Sequence, residues 1–282
     1  YKPSEGTTIA NITIWGTLPK QDIMDAFTEL SKTETKLKSV TYEQKDPSAI
    51  ASQLAAAIAA GNGPDLVLAS QEQLLHLRSF VTSIPASTLA PADYEQAFVS
   101  EASLFNTPDS GHYALPLLVD PMVLFWNKDL FATGNVTLPP TSWEALPGLV
   151  PVFTKRSVTN QVTQGLVGMG TYDNVTNASG ILSTLFLQTG VPLAVPGPGN
   201  TYRADLGQST SQGTSPGKSV VDYYTSFADA KTTSYTYNAS LPESRDMFKN
   251  NTLALYLGYA SEALYFADAN PNLNFGVAAM PQ

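Results

Sequence analysis

The sequence predicts an α/β chain with two lobes, 1–118 and 123–282, joined by a crossing at 119–122. Three observations carry this. Apolar runs and helical stripes alternate in the order βαβαβ over residues 9–68. The greasy stretch Tyr113–Phe131 is interrupted at Asp120-Pro121. A second series of strands and helices follows it.

Composition narrows the classes. The chain has 282 residues, enough for two domains of ordinary size. A hydrophobic share of 43% against 14% charged marks a folded chain with a core. The net charge of −9 leaves no basic stripe to neutralise phosphates, which excludes nucleic acid as a partner. With no cysteine there is no disulfide framework, zinc knuckle or thiol nucleophile. Two histidines, His76 and His112, supply metal sites and Ser-His-Asp triads poorly. No leader is visible at Tyr1, as in a cytosolic protein or a mature exported one.

In the first lobe, Ile9–Trp15 alternates as a strand, with Ile12 and Ile14 on one side. Pro19 suits a first helical turn, and Ile23, Phe27 and Leu30 form a helical stripe. Val40–Glu43 is a second strand. Asp46-Pro47 opens a helix lined by Ile50, Leu54 and Ile58, with Gly61 as its C′ residue. Leu66–Leu68 is a third strand. This order predicts a parallel sheet with right-handed crossovers, whose ligands sit beyond the carboxyl ends of the strands. Those ends are Trp15-Gly16-Thr17, Glu43-Gln44 and Ser70-Gln71-Glu72. Trp15 equally suits packing at the sheet edge, and Glu72 a solvated first turn. His76 reads as a helix-face residue and His112 as exposed in a turn.

Tyr113–Phe131 is long enough for a membrane span, but Asp120, Pro116 and Pro121 argue against one. Two buried strands around Asp120-Pro121 fit better, with the carboxylate facing a cleft between lobes. In the second lobe, Thr141 and Glu144 read as a capping box, with Pro147 and Pro151 limiting the helix. Gly165–Met169 is a strand followed by the polar loop Thr171–Asn174. Ser179–Gln188 is a helix ended by Gly190. Residues 190–217 read as a long surface excursion. Ser215-Pro216 starts a helix with Val220, Tyr224 and Phe227 inward. Ser240 and Glu243 read as a second capping box. Leu253–Leu257 is a buried strand, Gly258–Glu262 a turn, Ala263–Ala267 a helix and Asn274–Ala278 the last strand.

Five segments carry a family resemblance. Ile50–Ser70, Tyr113–Phe131, Pro139–Glu144, Met247–Gly258 and Phe275–Pro281 resemble, in order, segments of the extracellular solute-binding proteins of ABC importers. The likeness is strongest to the carbohydrate group that includes the maltose-binding proteins. The resemblance implies a two-lobed periplasmic-binding-protein fold, mainly parallel sheets flanked by helices, with a ligand cleft between lobes. It also implies that the C-terminal part of the family fold is absent. Val119–Met122 would be the first hinge crossing. Trp15, Thr17, Ser70, Gln71 and Glu72 would contact solute from the first lobe. Asp120, Tyr172, Asp173, Asn174, Tyr259, Ser261 and Glu262 would do so from the crossing and the second lobe. Ala69 and the turn Tyr259-Ala260-Ser261 stand where sugar binders carry Trp, which argues against a maltodextrin.

The implied partners are a small solute of carbohydrate type and an ABC transporter permease. No cofactor, metal or nucleic acid is implied. The chain would be an extracytoplasmic monomer at the periplasm or cell surface, tied to a membrane only by a lost N-terminal anchor or the transporter. Two other classes stay open. One is a surface or assembly protein reusing the fold, suggested by sequons at Asn11, Asn135, Asn174, Asn177, Asn238 and Asn250. The other is a glycosidase with paired carboxylates, for which no pair has diagnostic spacing.

Overall fold

The computed structural model of the chain describes residues 11–198, 201–207 and 215–282. Ile9 of the first expected strand, and 199–200 and 208–214 of the expected excursion, lie outside the described residues. The chain forms two compact units, Tyr1–Leu118 and Val119–Gln282.

The first unit runs β1 (Ile12–Gly16), α1 (Lys20–Leu30), β2 (Val40–Gln44), α2 (Ile50–Ala59), β3 (Leu66–Leu68), α3 (Gln71–Leu77) and α4 (Pro91–Ala97). The strands order β2-β1-β3 and both pairings are parallel, as the βαβαβ pattern predicts. Asp65 fastens the start of β3 to β1. Its carboxylate accepts from Thr13 N at 2.8 Å, and its own N–H donates to Thr13 O at 2.9 Å. Gly61 takes φ +73° and ends α2 as expected, with Asn62 N donating to Ala57 O and Gly61 N to Ile58 O. The start of α2 is displaced. Asp46 Oδ1 accepts from Ser48 N at 2.7 Å, so a local turn occupies 47–49 before the helix begins.

His112 is not exposed. It is 1% accessible and stacks on Tyr94 with ring centroids 3.8 Å apart. Its Nδ1 pairs with Asn106 Oδ1 at 2.9 Å, while short bridges join it to Ile84 and Asn106. His76 lies exposed in the last turn of α3, as expected.

Tyr113–Phe131 forms one strand, not two. Residues 114–121 carry no regular structure, and Leu115, Leu117, Leu118 and Val119 are exposed. The buried part begins at β4 (Met122–Asn127), which opens the second unit's sheet. Asn127 ends it, fully buried. Its Oδ1 caps α5 (Lys128–Thr133) by accepting from Leu130 N at 2.9 Å, and its Nδ2 donates to Asn251 Oδ1 at 2.7 Å.

The chain continues through α6 (Leu146–Phe153), β5 (Lys155–Arg156), β6 (Val162–Val167), α7 (Ala178–Gln188), β7 (Ala194–Pro196), β8 (Tyr202–Ala204), α8 (Pro216–Ser226), α9 (Ser244–Lys249), β9 (Leu253–Tyr259), α10 (Glu262–Ala269) and β10 (Phe275–Ala278). The main sheet orders β10-β4-β9-β6-β5. Only β6 with β9 is parallel, so the expectation of mainly parallel strands describes the first sheet and not this one. β4 enters between β9 and β10 and runs against both, and β5 pairs antiparallel with β6.

Three local expectations shift. Ser142 takes the N-cap position before a 3-10 turn, and Pro147 sits in the first turn of α6 instead of ending it. Ser240 starts no helix because Asn238 Oδ1 accepts from both its N–H and its hydroxyl, so α9 begins at Ser244. Part of the excursion forms the antiparallel pair β7 and β8. The core is aromatic. Phe125 lies within 5.4–6.3 Å, centroid to centroid, of Phe248, Tyr256, Phe266 and Phe275.

Candidate functional site

In the second unit, Met122 at the start of β4 pairs with Tyr259 at the end of β9, and β6 runs parallel to β9. The loop after β6, the turn after β9 and the segment before β4 therefore share one edge of the sheet. Asp120, Tyr172, Asp173, Asn174, Tyr259, Ser261 and Glu262 all fall on this edge.

The loop after β6 is held from below. Tyr224 Oη donates to Thr171 O at 2.6 Å, and Thr171 Oγ1 donates to Asn174 Oδ1 at 2.6 Å. Asn174 Nδ2 donates to Asn238 O and Leu241 O, both at 3.0 Å. Both its amide protons and its oxygen are engaged, so Asn174 staples the loop and is not an amide offered to solute. Val175 and Ala178 are buried beneath. Tyr172, 61% exposed, and Asp173 project outward. They border an open depression of about 340 Å³ with Thr176, Ser179 and Glu243. Among the described residues neither Asp173 nor Glu243 has an ion-pair partner.

Glu262 is a correction to the expected contacts. It is buried, and its oxygens are filled from within. Oε1 accepts from Asn177 Nδ2 at 2.7 Å and Tyr259 N at 3.1 Å. Oε2 accepts from Tyr256 Oη at 2.6 Å and Arg245 Nε at 2.9 Å. A buried carboxylate needs such partners, and with them it is structural. Gly258 permits the approach, since a Cβ there would stand 2.7 Å from Glu262 Oε1. Asp120 is exposed, and its two oxygens accept from Ser261 N at 2.9 Å and Ser261 Oγ at 2.6 Å. Tyr259 is half-buried beside them.

Burial pushes the hydroxyls of Tyr224, Tyr237 and Tyr256 above the ordinary tyrosine value, the Glu262 carboxylate adding to the effect on Tyr256. They remain donors supporting the loop, α9 and Glu262.

The first unit's candidates lie at the carboxyl ends of its strands. Trp15 is a correction. It is 8% accessible and packs with Leu54 and Leu77 in the core. Lys45 Nζ lies 3.7 Å from the ring centroid and 2.9 Å from Glu43 Oε2, so the ring is not an open stacking face. Being on the central strand explains the burial. Thr17 is half-buried after β1. Ser70 takes the N-cap position of α3, its N–H donating to Gln73 Oε1 at 3.2 Å. Gln71 and Glu72 are exposed in the first turn.

Thr176, Ser179 and Glu243 were not singled out by sequence. The polar run Asn174–Ser179 ahead of an apolar helix signals part of this group. Glu243 is hidden by its likeness to a capping-box residue. Among the described residues no cluster of three or more His, Asp or Glu is placed to hold a metal, and no helix is long and apolar enough to cross a membrane.

Comparison with known proteins gives the family. No curated protein sequence matches the chain. Solved structures with similar folds include a cyclic alpha-maltosyl-1,6-maltose binding protein from Arthrobacter globiformis, 17% identical with a TM-score of 0.71, covering 96% of this chain and 65% of that one. The galacto-N-biose-/lacto-N-biose I-binding protein of the ABC transporter from Bifidobacterium longum is 18% identical with a TM-score of 0.66, covering 99% and 66%. UgpB from Mycobacterium tuberculosis, solved with glycerophosphocholine, is 17% identical with a TM-score of 0.68, covering 98% and 66%. The chain thus spans about two-thirds of these proteins' length, and at such identity the likeness is one of fold: that of the two-lobed periplasmic binding proteins. Residues 22–282 match the family described as bacterial extracellular solute-binding protein, and the chain belongs to that family.

Proposed function

We propose that the chain acts outside the cytoplasm, captures a small polyhydroxylated solute such as a sugar or oligosaccharide, and presents it to an ABC transporter permease. The observation that carries this is the second unit's sheet edge. A fixed loop there projects Tyr172 and Asp173 beside an open depression that also holds Thr176, Ser179 and Glu243. An aromatic face covers the C–H side of a sugar ring, and carboxylates accept from its hydroxyls at about 1.5–3 kcal/mol each. On the first unit, Thr17, Ser70, Gln71 and Glu72 are the candidate solute contacts, and Val119–Met122 is the proposed crossing. Asp120 and Ser261 shape the edge through their mutual hydrogen bonds, with Tyr259 beside them. The family description supports the extracytoplasmic setting. The chain works as a monomer.

The reading involves no catalysis; the buried carboxylate nearest the candidate loop, Glu262, is occupied by four protein donors. The rival reading, a glycosylated surface or assembly protein, is disfavoured at Asn174. A glycan on its Nδ2 would replace one of the two amide hydrogens that bond Asn238 O and Leu241 O. Calorimetry of the chain against neutral mono-, di- and trisaccharides tests the proposal. Saturable heat for at least one sugar is expected, and no heat for any member overturns it.

A further inference from the structure

Ser261 and Glu262 are neighbours that face two different structures. Ser261 donates from its backbone N and its hydroxyl to the two oxygens of Asp120, and Ala260 N donates to Pro121 O at 2.9 Å. Glu262 accepts from Asn177 at the head of α7, Arg245 on α9, and Tyr256 and Tyr259 on β9. Asn177 closes the loop that carries Tyr172 and Asp173. Thr176 beside it donates from its N–H to Ser244 Oγ at 3.0 Å, next to Arg245. A path of hydrogen bonds, joined by the Ser261–Glu262 peptide link, therefore runs from the candidate contact loop to the segment by which the chain enters the second unit. Asp120 stands two residues beyond Leu118, where the first unit ends. Before it, residues 114–119 have no regular structure.

We infer that Ser261–Glu262 is a positioning element coupling the loop Thr171–Asn177 to the placement of Asp120, in the entry segment of the second unit. The functional meaning rests on the proposed solute contact at that loop; the coupling itself needs no solute. Glu262 transmits because it is buried and all its acceptor positions are filled. Asn177 cannot shift without breaking a charge-assisted bond or moving the carboxylate with it. Ser261, one peptide away, moves with Glu262, and Asp120 is bonded to it through both oxygens. Every member is a side chain or backbone group with a stated partner, so the coupling is open to removal one link at a time.

The chain has no cysteine, so Leu118→Cys creates a unique attachment point, and Leu118 is 74% exposed. A nitroxide there reports the order of the entry segment by electron paramagnetic resonance. The expected result is an ordered component in the parent that Asp120→Ala removes. Glu262→Gln should remove it to the same extent, and the double variant should go no further. Thermal melting is followed in parallel, and Tyr256→Phe, which deletes one donor, replaces Glu262→Gln if that variant does not fold. The inference is overturned if the Glu262 variant, or its Tyr256 substitute, leaves the spectrum unchanged below its melting transition. It is also overturned if the two losses add, or if the parent label is already freely mobile. A chain that shows this coupling yet binds no sugar removes the solute reading alone.

Discussion

The two units bury their apolar residues very differently. The second gathers a continuous core in which Phe125, Phe248, Phe266 and Tyr256 are almost fully enclosed. The first builds its main cluster from Trp15, Leu54 and Leu77, and α1 buries no residue completely. Leu30 on α1 is 54% exposed and Leu66 on β3 is 56% exposed. Parallel strand pairing, the Asp65–Thr13 exchange and the Gly61 cap supplement a small set of buried side chains in the first unit, among them Tyr42, Ile50 and Tyr94, whereas the second adds an extended aromatic core to its sheet. The same residue types therefore carry different weight in each.

Mutations can break this comparison. The largest effect is expected for Phe125→Ala, which empties a site surrounded by four rings and should cost about 3–5 kcal/mol in chemical denaturation. Next is Glu262→Ala, which strands Arg245, Tyr256 and Asn177 without their acceptor. We expect a loss of about 2–3 kcal/mol, below the figure for a fully buried ion pair because Arg245 is partly exposed. Leu30→Ala on the first unit should change stability by no more than about 0.5 kcal/mol. A large effect there would mean that α1 is packed more tightly than its exposure indicates.

Alkaline pH sharpens the same contrast. Burial raises Tyr42 and Tyr94 in the first unit above the ordinary tyrosine value of about 10, and it raises Tyr224, Tyr237 and Tyr256 in the second unit further. The folded form keeps protons that the unfolded form releases. Their contribution is therefore complete below pH about 10 and falls as pH rises above it. Tyr256→Phe should make that fall shallower in denaturant titrations at successive pH values; an unchanged slope would remove Tyr256 from the account.

What the sequence made legible follows from range. Local signals succeed: the stripe of α2, Gly61 at its end, and Pro216 opening α8 each depend on a few neighbouring residues. Tyr113–Phe131 misleads because apolar content alone cannot separate the mostly exposed Leu115–Val119 from the partly to fully buried Met122–Asn127. His112 is buried by a ring eighteen residues earlier in sequence, and nothing beside it in sequence announces Tyr94. Glu262 looks like an available acceptor until Asn177, 85 positions away, is found on it. Trp15 looks like a stacking face until Lys45 is found over it. The edge that gathers the candidate site was legible in part, through the polar loops following strands. Which members face outward was not, because that depends on hydrogen bonds between distant segments.

The most direct measurement is calorimetry of the parent and Tyr172→Ala with the neutral saccharide that gives the parent its largest saturable heat. Loss of the exposed ring should weaken binding about tenfold or more, in line with the roughly 1.5–3 kcal/mol of burying such a side chain, while melting is unchanged. Equal affinity in the two proteins would contradict the assignment of this sheet edge as the solute contact.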